Sequence, residues 1–346
     1  MTVVRFACAA DKDAVASLLE RAGPELDGLT NLPSGDENLD RLLAAAEAAV
    51  APDVSAPTGQ EYLMVLEDPE TGAIVGTSGI IAGVGLSDAF YSYRVGRIVH
   101  ASRRLGVHVT IPTLYLSNDY TGGSELCRLY LDAEWRKSGN GRLLSLSRTM
   151  LVADHPERFS DPLIAELRGV LDENGESPFW IGLPSHFLGM SFVEADRRSG
   201  SGEKTFIAEL MPTQPIYVPL LRPETQEAIG RTHPDTEPAL RLLQEEGFRY
   251  EHYIDIFDGG PTVEANRDDL LSTRESRVAP VAVSRVAARA AQAMVTNRRL
   301  EGFRSLIAQV GFDEHELRLS PDVAARLDVT TGDEVRFRIL GPGARP

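Results

Sequence analysis

Cysteine is nearly missing from this 346-residue chain: only Cys8 and Cys127 occur, far apart and outside any CxxC pattern. That scarcity argues against a disulfide framework or a cysteine-based zinc site and fits a reducing compartment. The 7 histidines show no HxxxH or HExxH spacing, so no metal is expected. Long apolar runs are lacking too, since the uncharged stretch that includes residues 73–86 is Gly-rich and too short to span a bilayer. The opening MTVVRFACAADKD has no basic segment followed by an apolar one, and a cytoplasmic location is expected. Positive charge is in deficit: 35 Lys+Arg stand against 51 Asp+Glu, a formal charge of -16. Such a balance disfavours nucleic acid and anionic membranes and would attract a cationic substrate, although an acidic surface also serves solubility alone. No internal repeat is evident.

With 42% hydrophobic and 25% charged residues, the composition is that of an ordinary globular protein. The length suggests about two domains, or one with a large appendage. Residues 3–7 read as a strand and 11–23 as a helix, with Val15, Leu18 and Leu19 at helical spacing. A second helix is expected over 35–50, capped by Asp36 or Ser34 and burying Leu39, Leu42 and Leu43. Strands over 61–67 and 73–81, joined by DPETG, read as a hairpin. Further strands are expected at 113–116 and 125–131, then an amphipathic helix over 141–153, a strand within 162–170 and a helix over 178–188. The alternation predicts an α+β (α/β mixed) sheet with helices on its faces. The proline-rich MPTQPIYVPLLRP after residue 210 reads as a boundary or crossover. An Ala- and Arg-rich stretch at 284–294 follows, and strand-like pieces at 316–319 and 334–340 suggest a small terminal β unit.

The most informative segment is SELCRLYLDAEWRKSGNGRLLSLSR: a strand, a polar turn, then the helix carrying Leu143, Leu146 and Met150. A glycine-containing turn that feeds a helix N-terminus points unpaired N–H groups one way, at the positive end of the helix dipole. Gly139 and Gly141 remove side chains where backbone would approach phosphate oxygens, while Arg136, Lys137 and Arg142 add charge. Alone, RxxGxG also describes a simple tight connection. It is neither a Walker motif nor a dinucleotide fingerprint.

The turn resembles the R/Q-x-x-G-x-G/A turn of the GNAT acyltransferases. That resemblance implies that 136–142, with Asn140 among them, hold the pyrophosphate of coenzyme A, and that the backbone at Leu129 and Leu131 holds the pantetheine arm and thioester. Several further blocks resemble the arginine N-succinyltransferase family: YSYRVGRIVHAS at 91–102, PTLYLSNDYTGGSELCRLYLD at 112–132, WRKSGNGRLLSLSR at 135–148, ESPFW at 176–180, FIAELMPTQPIY at 206–217 and GFRYEHYIDIFDGGPT at 247–262. The resemblance implies transfer of succinyl from succinyl-CoA, as cosubstrate, to the α-amine of L-arginine, the first step of arginine catabolism. It places succinyl-CoA against Leu129 and a proton donor at His233. The organisation expected on this basis is a GNAT-like acyl-CoA-binding core over 1–212, a segment over 213–275 completing the active site with His233, and a small C-terminal β-containing subdomain over 276–346. A homodimer, or a heteromer with a paralogous subunit, is expected. The same fold acylating ornithine or another basic amine, or a non-catalytic acyl-CoA-binding subunit, are the alternatives.

The residues suit that chemistry. An imidazole titrating near neutrality can take the ammonium proton or give one to the departing thiolate, and Pro234 keeps His233 out of helical conformation. Cys127, with the same strand parity as Leu129 and Leu131 and no adjacent histidine, reads as a small buried side chain rather than a nucleophile. A substrate guanidinium wants carboxylates, for which Glu125, Asp119, Glu166 and Asp255 are candidates. The Phe179–Trp180 pair reads as core, and Asp258-Gly259-Gly260-Pro261 as a turn.

Overall fold

The computed structural model describes residues 1–23, 35–200, 205–286 and 290–341. The chain opens with β1 (Val3–Phe6), α1 (Lys12–Ala22), α2 (Asp36–Ala49) and the hairpin β2 (Gln60–Asp68) to β3 (Ala73–Ala82). Gly35, at φ 90°, caps α2 without a side-chain bond, so Asp36 is its first helical residue rather than its cap. Ser34, the alternative cap, lies outside the described residues. Leu39, Leu42 and Leu43 are buried as their spacing predicts. Asp68 closes the hairpin, accepting from the Thr71 hydroxyl at 2.8 Å.

Next come β4 (Ser92–Ser102) and β5 (Val107–Ser117), a long hairpin of which only 113–116 was expected. Its outer half is largely exposed, so the alternation in Val107-His108-Val109-Thr110-Ile111 leads to no buried face. Then follow β6 (Ser124–Leu131), α3 (Asn140–Asp154) and β7 (Leu163–Glu166). The helix expected over 178–188 is two short ones, α4 (Pro178–Gly182) and α5 (Ser185–Leu188). Pro184 drives Leu183 out of the helical region and offers no N–H, which breaks the run. The short α6 (Phe192–Gly200), α7 (Thr205–Leu210), β8 (Ile216–Tyr217) and α8 (Pro223–Ala228) lead to α9 (Glu237–Glu246), β9 (Arg249–Ile254), β10 (Pro261–Ala265) and α10 (Leu271–Arg274). The last elements are β11 (Arg277–Val283), β12 (Ala291–Thr296), β13 (Arg304–Phe312), β14 (Leu317–Leu319), α11 (Pro321–Leu327) and β15 (Glu334–Ile339).

The main sheet runs β1-β2-β3-β6-β7-β10-β9-β4-β5-β8, and within it only β6 and β7 are parallel neighbours. At its β1 edge the sheet continues through β13 into the C-terminal strands. There β12, β15, β11, β14 and β13 pair in that order, and β13 pairs back with β12, which closes a small barrel. Its interior is a separate apolar core containing Val295, Leu306, Leu319, Leu327 and Phe337.

The barrel changes the character of α3. An amphipathic helix is expected here, yet Leu143, Leu144, Leu146, Ser147, Arg148, Met150, Leu151 and Val152 are all buried. One side rests on β3 and β6, and the side that would face water is covered by α9, α10, β12 and β13. The helix that begins at the glycine turn is therefore held on all sides.

Candidate active site

Everything at the site follows from how β6 ends and α3 begins. At the end of β6 the Asp132 carboxylate accepts from the Glu134 N–H at 3.1 Å, bending the chain. Ser138 (φ 56°) and Gly139 (φ 79°) then both adopt left-handed backbone, which glycine tolerates and serine adopts at a cost. The N–H groups of Ser138, Gly139, Gly141 and Arg142 have no hydrogen-bond partner among the described residues. A Cβ at Gly139 would meet nothing within 4 Å, and one at Gly141 would come no closer than 3.8 Å to Leu131. Crowding inside the chain thus does not demand glycine at 141, and the space beside it is open.

Asn140, expected to bind the cofactor, is in the lining of the cleft onto which the turn opens, with its polar groups bonded within the chain. Its N–H bonds Lys137 O at 3.2 Å, its Nδ2 donates to Trp135 O at 3.1 Å, and its Oδ1 accepts from the Thr2 hydroxyl at 2.8 Å. It is buried and pins the turn from behind. The free amides open onto a cleft of about 790 Å³ with Arg136, Lys137, Arg142, Arg168 and Arg241 in its lining. Arg136 Nε returns to Leu131 O at 3.0 Å, and Arg142 reaches across to Glu245 on α9 at 3.7 Å. Cations and oriented amides converging in one cleft suit a diphosphate.

From that cleft β6 leads inward. Parallel pairing with β7 covers only Ser124↔Leu163 and Glu125↔Ile164; beyond Glu125, β6 has no strand on that side. On its other side, the β3 register shifts between Thr77 and Gly79, so Arg128 and Leu129 together oppose Ser78. Arg128 sits in left-handed backbone at φ 56°, and its carbonyl accepts from the Thr77 hydroxyl at 3.0 Å. This bulge re-aims the strand where the pairing has opened. It also breaks the parity expected between Cys127 and Leu129, because an extra residue intervenes. Cys127 is nonetheless buried, and burial pushes its thiol up to about 12, so it carries no thiolate at neutral pH.

Behind Leu129 lies an inner pocket of about 100 Å³. Glu125, Glu166 and Asp255 line it, joined by Asp258; Asp119 does not, being held elsewhere by the Tyr253 hydroxyl at 2.6 Å. Asp255 accepts from the N–H groups of Phe257 (2.7 Å) and Asp258 (2.8 Å), while Asp258 accepts from Gly169 (2.6 Å) and Gly260 (2.7 Å). Burial raises both, and the charge of Asp255 drives Asp258 further up, so Asp258 is the more readily protonated of the two. The turn read at 258–261 thus also carries an acid of the pocket. Arg128, Arg148 and Arg168 balance these acids: Arg128 pairs with Glu61, and Arg148 donates to Ser145 O (3.3 Å) and Cys127 O (3.4 Å). Arg148 and Arg168 were not found from sequence, since a lone arginine carries no spacing signal.

His233 lines neither the cleft nor the inner pocket, but it is tied by its backbone to Arg168, which lines both. Its N–H donates to Arg168 O at 2.8 Å, and its Nδ1 accepts from Asp235 N–H at 3.2 Å, which leaves the proton of the neutral ring on Nε2. Burial first, then the positive charge of Arg168, lowers its pKa, against a smaller opposing pull from Asp235. Its neighbour Thr236 lines both the cleft and the inner pocket.

A glycine turn at the head of α3 beside an opened edge of β6 is the arrangement expected of the acyl-CoA-dependent N-acyltransferases of GNAT fold. Known proteins narrow the class. A family model described as arginine N-succinyltransferase beta subunit matches residues 2–272, and the model of its C-terminal domain matches 276–337. An arginine N-succinyltransferase of Enterobacter sp. (strain 638) is 44% identical over 340 residues, covering 96% of each chain. Another, from Salmonella schwarzengrund (strain CVM19633), is 45% identical over 325 residues, covering 93% of this chain and 94% of that one. The structure of arginine/ornithine succinyltransferase subunit AI from Pseudomonas aeruginosa matches with a TM-score of 0.89 at 37% identity, over 99% of both chains. The chain belongs to the arginine N-succinyltransferase family. Among the described residues, no helix is long and apolar enough to cross a membrane.

Proposed function

We propose that the chain transfers succinyl from succinyl-CoA to the α-amine of L-arginine. The carrying observation is the parting of β6 from β7 directly inward of four unpartnered amides. The diphosphate rests on the N–H groups of Ser138, Gly139, Gly141 and Arg142, with Arg136 and Lys137 adding charge. Pantetheine follows β6 past Leu131 to Leu129, whose backbone polarises the thioester carbonyl. The acceptor guanidinium lies toward Glu125, Glu166 and Asp255.

The ammonium first gives a proton to His233, which is neutral because its pKa is lowered. The amine nitrogen then attacks the carbonyl carbon, a C–N bond forms, and the C–S bond breaks. The imidazolium returns its proton to the thiolate, and the second nitrogen proton goes to solvent. Transfer is direct, since the raised thiol of Cys127 disfavours an acyl-cysteine.

The test is arginine-dependent release of coenzyme A thiol from succinyl-CoA, with ornithine and lysine as competing acceptors. Arginine is the expected best acceptor; succinyl-CoA binding without thiol release would instead mean a non-catalytic subunit. Ornithine remains a second reading because the Pseudomonas relative carries both amino acids in its name. That name also speaks of a subunit, which supports the expected homodimer or heteromer. The segment 213–275 is proposed to complete the site through His233, and the unit from 276 to brace it.

A further inference from the structure

Arg168 follows directly on β7, at one lip of the gap, and its backbone is fixed on both sides. Its carbonyl accepts from His233 N–H at 2.8 Å, and the next N–H, of Gly169, donates to Asp258 at 2.6 Å. Its guanidinium is another matter. The Nε is buried with no hydrogen-bond partner, and the side chain pairs with no carboxylate among the described residues. The other arginines of the inner pocket differ: Arg128 has Glu61, and Arg148 has the carbonyls of Ser145 and Cys127. A buried donor of fixed charge without a partner is costly, and a fixed stem keeps it from swinging away. Such a group awaits an anion.

Position decides which anion. Arg168 lines both the cleft and the inner pocket, together with Leu129, Thr236 and Ala239. The acyl donor is the one molecule that must occupy both spaces, with its thioester at Leu129. A succinyl group carries a carboxylate two methylenes beyond that carbonyl, directed into a pocket whose acids repel it and whose other arginines, Arg128 and Arg148, already bond to Glu61 and to the Ser145 and Cys127 carbonyls. We propose that Arg168 binds the distal carboxylate of the acyl group and so selects a dicarboxylic acyl-CoA over a neutral one. This assignment rests on the succinyl-CoA reading of the site. A half-buried guanidinium with its Nε out of water disfavours a neutral isostere, because the isostere leaves that donor unpaired.

Calorimetric binding without acceptor tests it, using succinyl-CoA, butyryl-CoA (a methyl in place of the carboxylate) and coenzyme A, on the wild type, Arg168→Met and Arg168→Lys. The wild type should prefer succinyl-CoA to butyryl-CoA by roughly 10- to 100-fold, the worth of a charged hydrogen bond. In Arg168→Met the ratio should approach one, with succinyl-CoA losing far more affinity than coenzyme A, and Arg168→Lys should lie between. An unchanged ratio in Arg168→Met overturns the assignment, as does a raised KM for arginine with the donor ratio intact, which would give Arg168 to the acceptor's carboxylate. Selective donor binding without arginine acylation would leave Arg168 standing and remove the proposed reaction instead.

Discussion

His233 is one of 7 histidines and carries no motif, yet its surroundings separate it from the rest. Pro234 starts a short turn, the Asp235 N–H takes Nδ1, and Arg168 holds the residue by its backbone while lowering its pKa by charge. Replacing it by alanine should cut kcat by about 100-fold or more, the worth of general acid–base catalysis, with the inhibition constant of coenzyme A unchanged. Parallel losses in both would show a structural role only. Because the pKa is lowered, the ring is neutral at pH 7, and the acidic limb of kcat/KM should lie below that of an ordinary histidine. Removing the positive neighbour in Arg168→Met should move this limb upward; a limb that stays put would mean another group titrates there. Cys127→Ala should keep turnover near wild type, since a thiol pushed up to about 12 is no nucleophile. Steady-state rates with a thiol-independent assay, following succinylarginine, decide this. At this scale the sequence was legible through residue type, which makes imidazole and carboxylate readable as candidates. It was illegible for Arg168, whose significance lies in what its side chain does not touch.

Among the elements, the junction of β6 and α3 was the most readable, because glycine positions and helix starts are local properties. Gly139 at φ 79° is required by its own backbone. Gly139→Val should weaken coenzyme A binding and cost about 1–2 kcal/mol of backbone strain, with the larger part of the loss in affinity if the amides lose their aim. Asn140→Ala removes the bonds to Thr2 and Trp135 and should loosen the turn, raising KM for succinyl-CoA by roughly 10-fold with kcat little changed. A fall in kcat alone would contradict the reading of Asn140 as a pin. The bulge at Arg128 and Leu129 left no such trace. It arises because the partner strand is one residue short between Thr77 and Gly79, a mismatch that exists only between strands.

For the whole molecule, the C-terminal barrel is part of the site's support rather than an ornament. Met294, Phe303 and Leu340 belong to the same apolar cluster as Leu143, Leu146 and Met150 of α3. Asp154, at the far end of α3, is buried and accepts from Arg336 (2.7 Å), Arg298 (3.1 Å) and the Thr296 hydroxyl (2.9 Å), tying helix to barrel. Asp154→Ala should lower stability by about 2 kcal/mol, the partly exposed arginines softening the loss, and should lower Tm while leaving donor selectivity intact. A chain ending at 275 would bare the outer face of α3, and light scattering should show it aggregating. A soluble, active fragment would refute the bracing role.

Local chemistry set a great deal in advance: the glycine turn, the helix after it, the β2–β3 hairpin, the scarcity of thiols and the excess of acids all depend on neighbours in the chain. What folding alone arranged was the opening of β6 from β7, the barrel strands that with α9, α10 and the main sheet bury α3, and the placing of Arg168 among the acids behind Leu129 with His233 held on its backbone. These are relations between segments that are not neighbours in the chain. No periodicity or spacing along one strand can encode a gap between two.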